Sequence, residues 1–290
     1  MFDYIALFAS AFTIMIQHVF RQKFNEKGAK NTLLFSAITA FTAMFVFAVT
    51  NTDWTYDIKY LIFSSIFALS YGTAVVTSLL ALLYGPVAKT SLVSACSLII
   101  PSLYGVIKQG VIDGDKDAFS VTLIIGLILV TVSLFLVNNE KDDKKPTLKW
   151  VIYVFLCFLS NGVSSVVQVV KQEMYGTECN NVFMIVAFLM VSIVLFIASL
   201  SKKEMRIEAG DTLKKGWLLA ILCGAANGIT NFFSLVLSGK LPASIVFPVM
   251  SGGSMLLVFI WSFFIKKERY TPIQYVGYGL GLISIVLLNL

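Results

Sequence analysis

Residues 82–97 read LLYGPVAKTSLVSACS, and residues 238–254 read SGKLPASIVFPVMSGGS. In each, a proline (Pro86, Pro242) follows a turn of a few residues and opens an apolar run. Its fixed φ and missing N–H suit the first turn of a helix. The prolines lie 156 residues apart, and the same offset carries Lys59 onto Lys215, Gly72 onto Gly228 and Tyr71 onto Asn227. At an offset of 151, Ser10 falls on Asn161, Gln17 on Gln168, Gly126 on Gly277, Ser133 on Ser284 and Asn138 on Asn289. The change of offset falls in loops, which tolerate insertions. The chain therefore reads as two copies of one unit.

Working outward, apolar runs occupy roughly 2–20, 32–50, 58–81, 86–108, 119–138, 149–170, 181–200, 216–238, 242–265 and 272–290. They are separated by RQKFNEKGAK, NTDWTYD, DGDKD, NNEKDDKKPTLK, SKKEMRIEAGDTLKK and KKERYTP, and by the turns at Gly85-Pro86 and Lys240-Pro242. With ~20 residues per span, 290 residues accommodate ten spans and little else. Charged residues make up 13% of the chain, about half of what soluble domains carry, and the mean hydropathy is +0.85. The expectation is an all-α membrane protein of ten transmembrane helices. Residues 1–139 form one five-helix repeat, 140–148 a cytoplasmic linker and 149–290 the other repeat. An odd number of spans per copy inserts the second upside down, the inverted-repeat plan of secondary transporters. Positive charge follows the first run instead of preceding it, so that run reads as a retained helix and not a cleaved leader.

Of the 22 lysines and arginines, 17 fall after odd-numbered spans and 5 after even-numbered ones. The positive-inside rule then places both termini outside a plasma or inner membrane. Trp54, Trp150 and Trp217 fall at span ends, as interfacial anchors do. Cys96, Cys157, Cys179 and Cys223 show no close pairing, and with one histidine they make no zinc constellation. They read as small buried hydrophobes. No P-loop, metal set, paired carboxylates or nucleophile–base pair is visible. Neither an enzyme nor a cofactor is expected, and the partners are a small solute and the bilayer, not nucleic acid. Two complete halves make a monomer sufficient, and a dimer is compatible with them.

The same proline-opened stretches resemble the fourth and ninth helices of the drug/metabolite transporter superfamily, among which the EamA-like permeases are the nearest in pattern. The runs DAFSVTLIIGLILVTVSLFLVN (117–138) and TPIQYVGYGLGLISIVLLN (271–289) resemble the helices that close each half of those proteins. The resemblance covers essentially the whole chain. It implies export or exchange of a small metabolite such as an amino acid, with a central cavity lined by the first, third, fourth, sixth, eighth and ninth helices. A glutamate frequent before the family's closing helices is matched by Glu268, while Asp113, Asp115 and Asp117 stand in its place in the first half. Ten-helix relatives usually keep both termini in the cytoplasm, opposite to the charge count here, although the superfamily includes oppositely oriented members.

Polar residues inside spans are the site candidates, because each needs a neighbour, a cavity or a ligand. These are Gln17, Tyr71, Ser94, Asn161, Gln168, Asn227, Asn231 and Ser251. Gln17 and Gln168 are equivalent under the repeat and would face each other across the pseudo-two-fold axis, donating to and accepting from a polar solute. The competing reading is interhelical hydrogen bonding, worth about 1 kcal/mol or less each. Gly252 and Gly253 suit either a local helix break or close packing. Lys89, Lys171 and Lys240 read as snorkelling to the interface. His18 has no evident partner. Asp3, Glu173 and Glu178 all lie near span ends, so no carboxylate sits deep in a span. That argues for facilitated diffusion, exchange or coupling by another route over a proton antiporter. The rivals are a non-transporting membrane partner and a lipid flippase.

Overall fold

The computed structural model describes residues 2–27, 31–52, 54–85, 87–112, 114, 121–137, 146–267 and 269–288. Pro86, Asp113, Asp115, Asp117, Glu268 and most of the expected linker lie outside the described residues. Among the described residues the regular structure is helical, with no strand. In chain order the helices are α1 (Phe2–Glu26), α2 (Thr32–Thr50), α3 (Ile58–Tyr84), α4 (Val87–Cys96), α5 (Ile99–Ile107), α6 (Val121–Val137), α7 (Leu148–Tyr175), α8 (Asn180–Ser199), α9 (Lys203–Ser238), α10 (Ala243–Trp261) and α11 (Pro272–Leu288). Short π-helical turns extend α5 (Lys108–Ile112) and α10 (Ser262–Lys266).

Seven of these, α1, α2, α3, α7, α8, α9 and α10 with its π turn, are long and apolar enough to cross a membrane. Helices α6 and α11 are equally apolar but have 17 residues each. The described part of each is about 25 Å long at 1.5 Å per residue. Large apolar side chains such as Leu69, Phe135, Val194 and Ile197 stand fully outward. A continuous apolar exterior of this kind needs lipid to cover it. The protein is a multi-pass membrane protein.

Three elements depart from the apolar pattern. The run at 86–108, expected as one helix, is two, broken at Ser97-Leu98. Pro101 accounts for the break: it has no N–H to give the Ser97 carbonyl and its ring crowds that carbonyl. The chain tightens instead into i→i+3 bonds, from Ser97 N–H to Ser94 O and from Ile100 N–H to Ser97 O. Helix α9 starts at Lys203, so most of the charged stretch expected as a loop is helix. Its 36 residues run about 54 Å at 1.5 Å each, and the charged first turns project beyond the bilayer. Helix α1 continues to Glu26 and thus takes Arg21 into its last turns. Helix α10, by contrast, runs unbroken through Pro248, Gly252 and Gly253. A Cβ on Gly253 would come 3.1 Å from Ala11 and one on Gly252 3.2 Å from Ile285, so these glycines serve packing.

Successive spans alternate in direction. At one end, the basic end, α1 stops and α2 starts, joined there to α8 and α9 through Asn31. Its side-chain Nδ2 donates to Ser199 O (3.0 Å) and Met205 O (2.8 Å), its Oδ1 accepts from Leu34 N–H (2.9 Å), and its own N–H donates to Thr212 Oγ1 (3.3 Å). Asn31 is buried and serves as the N-cap of α2. Asn31→Ala is expected to lower stability by about 2 kcal/mol, from the lost cap and two orphaned carbonyls. Thermal unfolding in detergent checks this, and a shift within error would mean water replaces the amide. The opposite, terminal end holds the start of α1 and the close of α11. There Lys240 pairs with Asp3 (3.4 Å) and Lys108 with Glu173 (3.3 Å).

Extensive helix contacts join the 2–137 half of the chain to the 148–288 half. Helix α3 packs on α7 and α8, α1 on α9 and α10, α2 on α8 and α9, α6 on α11, and α5 on α10 and α7. A cluster of Phe47, Phe67, Phe183 and Phe188 fills the centre of the α2–α3–α8 contact. Helix α9 approaches α2 through Gly224 and Gly228. A Cβ at Gly224 would fall 2.6 Å from the Thr39 carbonyl oxygen, and one at Gly228 2.7 Å from Val46. Small residues four apart allow such backbone contact in the membrane. This approach fixes the rotation of α9 and thereby which face carries Asn227.

Candidate binding cavity

A cavity of about 240 Å³ runs inward from the basic end. Its mouth is formed by Asn25 near the end of α1 and Thr32 at the start of α2. Its walls are α2, α3, α4 and α7, and it ends at mid-depth against Tyr71 and Asn161. Three of the residues expected from the sequence, Tyr71, Ser94 and Asn161, line it. Phe24, Phe35, Val75 and Leu79 supply apolar wall, and Ser36, Thr39 and Ser78 add hydroxyls.

Behind Tyr71 lies a connected polar floor. Asn227 Nδ2 donates to the Tyr71 hydroxyl (3.2 Å), and Asn231 Nδ2 donates to Asn227 O (2.9 Å) and Oδ1 (3.2 Å). Gln168 Nε2 donates to Asn231 Oδ1 (3.0 Å), and Ser234 Oγ donates to Gln168 Oε1 (3.1 Å). The spacing of 227, 231 and 234 along α9 places all three on one face. Buried amides satisfied in series hold one another in a single orientation. The floor is thus a rigid brace for the Tyr71 hydroxyl.

Gln17 and Gln168 do not face each other. Gln17 Nε2 donates to Thr230 Oγ1 (2.9 Å), and Thr230 also meets Thr13 Oγ1 (2.7 Å). Both glutamines are therefore bonded to α9, and neither lines the cavity. Asn161 Nδ2 donates to Ser97 Oγ, and Ser97 in turn donates to Ser94 O (2.6 Å). The helix break is thereby tied to the cavity wall. Ser251 lies elsewhere, with Pro248 and Ser102 around a small apolar gap between α5, α6 and α10.

Arg21 is the charged lining residue that sequence reading passed over, along with the uncharged polar Asn25, Thr32, Ser36, Thr39 and Ser78. It opens the charged stretch RQKFNEKGAK and so reads as loop. Side chains on a helix lean toward its N-terminus, which for α1 is the terminal end. The Arg21 side chain accordingly reaches inward, and its guanidinium lies within electrostatic range of the Tyr71 hydroxyl and the Cys223 thiol. Cys223 is level with Gln17, whose carbonyl it approaches (Sγ to O, 4.0 Å). His18, one turn earlier on α1, is also an electrostatic neighbour of Arg21. No group of three or more metal-ligating side chains occurs among the described residues.

Lys171 does not snorkel. It is fully buried, and its ammonium donates to Gly176 O (3.0 Å), to Glu178 O and to Asn180 Oδ1, beneath the Tyr60 ring. The α7–α8 turn, with Gly176 and Cys179 at positive φ, folds back over it. Lys240 is exposed as expected and Lys89 lies at the surface of α4.

No family model and no curated protein matches the chain. Solved structures do match in shape. One crystal structure, of a protein described only as such, superposes over 98% of this chain and 95% of its own, with a TM-score of 0.69 and 11% sequence identity. That likeness is one of fold.

Proposed function

We propose that the chain is a secondary transporter of a small metabolite, an exporter or exchanger of the EamA-like type, working by alternating access. The observation that carries this reading is the one-sided cavity: open at the basic end, braced at mid-depth and closed at the terminal end. The helix contacts support ten spans in two inverted repeats, with α4 and α5 counted as one. Exchanging α1 with α7, α2 with α8, α3 with α9, α4–α5 with α10 and α6 with α11 turns the α3–α7 contact into α9–α1. The same exchange turns α2–α9 into α8–α3 and α1–α10 into α7–α5, while α2–α8, α6–α11 and α5–α10 map onto themselves. Two halves related in this way can rock about the axis and open either end.

The counterpart of the cavity at the terminal end is collapsed. Arg21 corresponds to Gln172, whose Nε2 donates to Leu235 O (2.6 Å) while its Oε1 is buried without a hydrogen-bond partner. An orphaned amide oxygen costs about 1–3 kcal/mol, which water relieves once that side opens. Glu173 latches the same end, accepting from Tyr104 Oη (2.7 Å) and pairing with Lys108. Glu173→Gln weakens the latch. On a Cys179→Ser background, a Ser234→Cys reporter should then react several-fold faster with an impermeant thiol reagent added from the terminal side. An unchanged rate removes the latch role.

The charge asymmetry of the loops supports an orientation with the basic end in the cytoplasm and both termini outside a plasma or inner membrane. Counterflow in proteoliposomes tests the function as a whole, using pooled amino acids, organic acids, amines and sugars. Exchange of at least one solute is expected. A well-folded preparation with no flux for any pool would sink the transporter reading in favour of a non-transporting membrane partner.

A further inference from the structure

The charge inside the cavity points to the chemistry of its occupant. Arg21 is the one charged side chain among the described residues that line the cavity. Its electrostatic neighbours are a tyrosine, a cysteine and a histidine, and among the described residues no carboxylate pairs with it. Arg21 is solvent-accessible where it lines the cavity, so its guanidinium is open to an anion entering from the basic end. An arginine whose role was only interfacial would turn toward the headgroups; this one leans to mid-depth, beside a hydroxyl that the α9 amides hold in place.

We infer that the cavity takes a small monocarboxylate, bound head-first by Arg21 and the Tyr71 hydroxyl. This deepens the transporter reading and rests on it for the direction of movement, but the binding step stands alone. The planar fork of one guanidinium matches one carboxylate, two parallel N–H···O bonds to two oxygens. A phosphate dianion would leave one charge unpaired in a cavity holding a single cation. A free ammonium, as in an amino acid or amine, meets no carboxylate among the lining residues, and repulsion from Arg21 opposes it. Phe24, Phe35, Val75 and Leu79 form the apolar wall that receives the rest of the molecule. This narrows the amino acids and related compounds that the family resemblance implies to the anionic, ammonium-free members of that size class.

The test uses four probes that share one ring and differ in charge: benzoate, benzamide, phenylphosphate and benzylamine. Binding to the purified full chain in detergent is measured by titration calorimetry and by thermal stabilisation. Benzoate is expected to bind at least tenfold more tightly than each of the other three. Arg21→Gln should abolish the preference over benzamide, and Arg21→Lys, which keeps the charge but loses the fork, should retain part of it. Tyr71→Phe should weaken benzoate several-fold and leave benzamide unchanged. Equal binding of benzoate and benzamide by the unaltered protein overturns the inference, as does preference for the phosphate or the amine, or no binding of any probe. Because that comparison needs no variant, it decides the matter even if Arg21→Gln fails to fold. Flux separates the two readings: benzoate binding without counterflow removes the transporter and keeps the carboxylate site, whereas counterflow of a neutral or cationic solute without benzoate preference does the reverse.

Discussion

Lys171→Met should destabilise the protein by about 2–3 kcal/mol, because three partly buried acceptors lose their donor at once and an orphan costs about 1–3 kcal/mol when it is fully buried, less where water reaches it. Methionine fills a similar volume, so little of the effect comes from a cavity. The lost contacts are those to Gly176 O, Glu178 O and Asn180 Oδ1, together with the cation over Tyr60. Tyr60 also donates to Glu178 Oε2 (2.8 Å), so the whole α7–α8 turn hangs on this one ammonium. The repeat equivalent of Lys171 is Phe20, and the turn in the first half is held by Asn31 instead. The two turns are thus pinned by different chemistry. Thermal unfolding of the variant in detergent is the measurement. A loss under about 1 kcal/mol would mean that water reaches the turn and satisfies its carbonyls.

Gly224→Val is expected to combine a stability loss of about 2–3 kcal/mol, typical of overpacking a tight contact, with loss of ligand binding. The new Cβ would stand 2.6 Å from both the Thr39 carbonyl oxygen and the Thr42 side chain. Backbone cannot yield as a flexible side chain does, so α9 has to move away from α2. Asn227 lies one turn on from Gly224 and holds the Tyr71 hydroxyl at 3.2 Å. A displaced α9 therefore loosens the cavity floor. Gly210→Val, on the same helix but with nothing within 4 Å of its Cβ position, should leave binding unchanged. If Gly224→Val keeps full affinity for the solute, the floor is not what orders Tyr71.

The contrast between Arg21 and Leu69 shows how far the amino-acid sequence reaches. Leu69, like most apolar residues in these helices, needs only the local run of hydrophobicity to be assigned to the membrane, because transfer free energy adds along the chain whatever packs nearby. That additive signal determined the membrane class, the apolar runs and their main breaks. It misjudged the start of α9, because charge along 203–215 marks exit from the bilayer and not the end of a helix. It also missed the break at Ser97-Leu98, although Pro101 carried the signal.

The site was legible only in part. Asn227, Asn231 and Gln168 were recognisable as polar residues that must be satisfied, but whether by a solute or by each other depends on how far each helix is rotated. That rotation is set by contacts between residues far apart in sequence, such as Gly224 against Thr39 and Gly228 against Val46. Tertiary structure alone decided that Gln17 and Gln168 bond to α9, that Lys171 is sealed beneath a turn, and that Arg21 points into a cavity instead of out to the headgroups. Hydrophobicity is a property of each residue and its near neighbours, so the sequence by itself states it. A cavity is a space left between helices, and no single stretch of chain contains it.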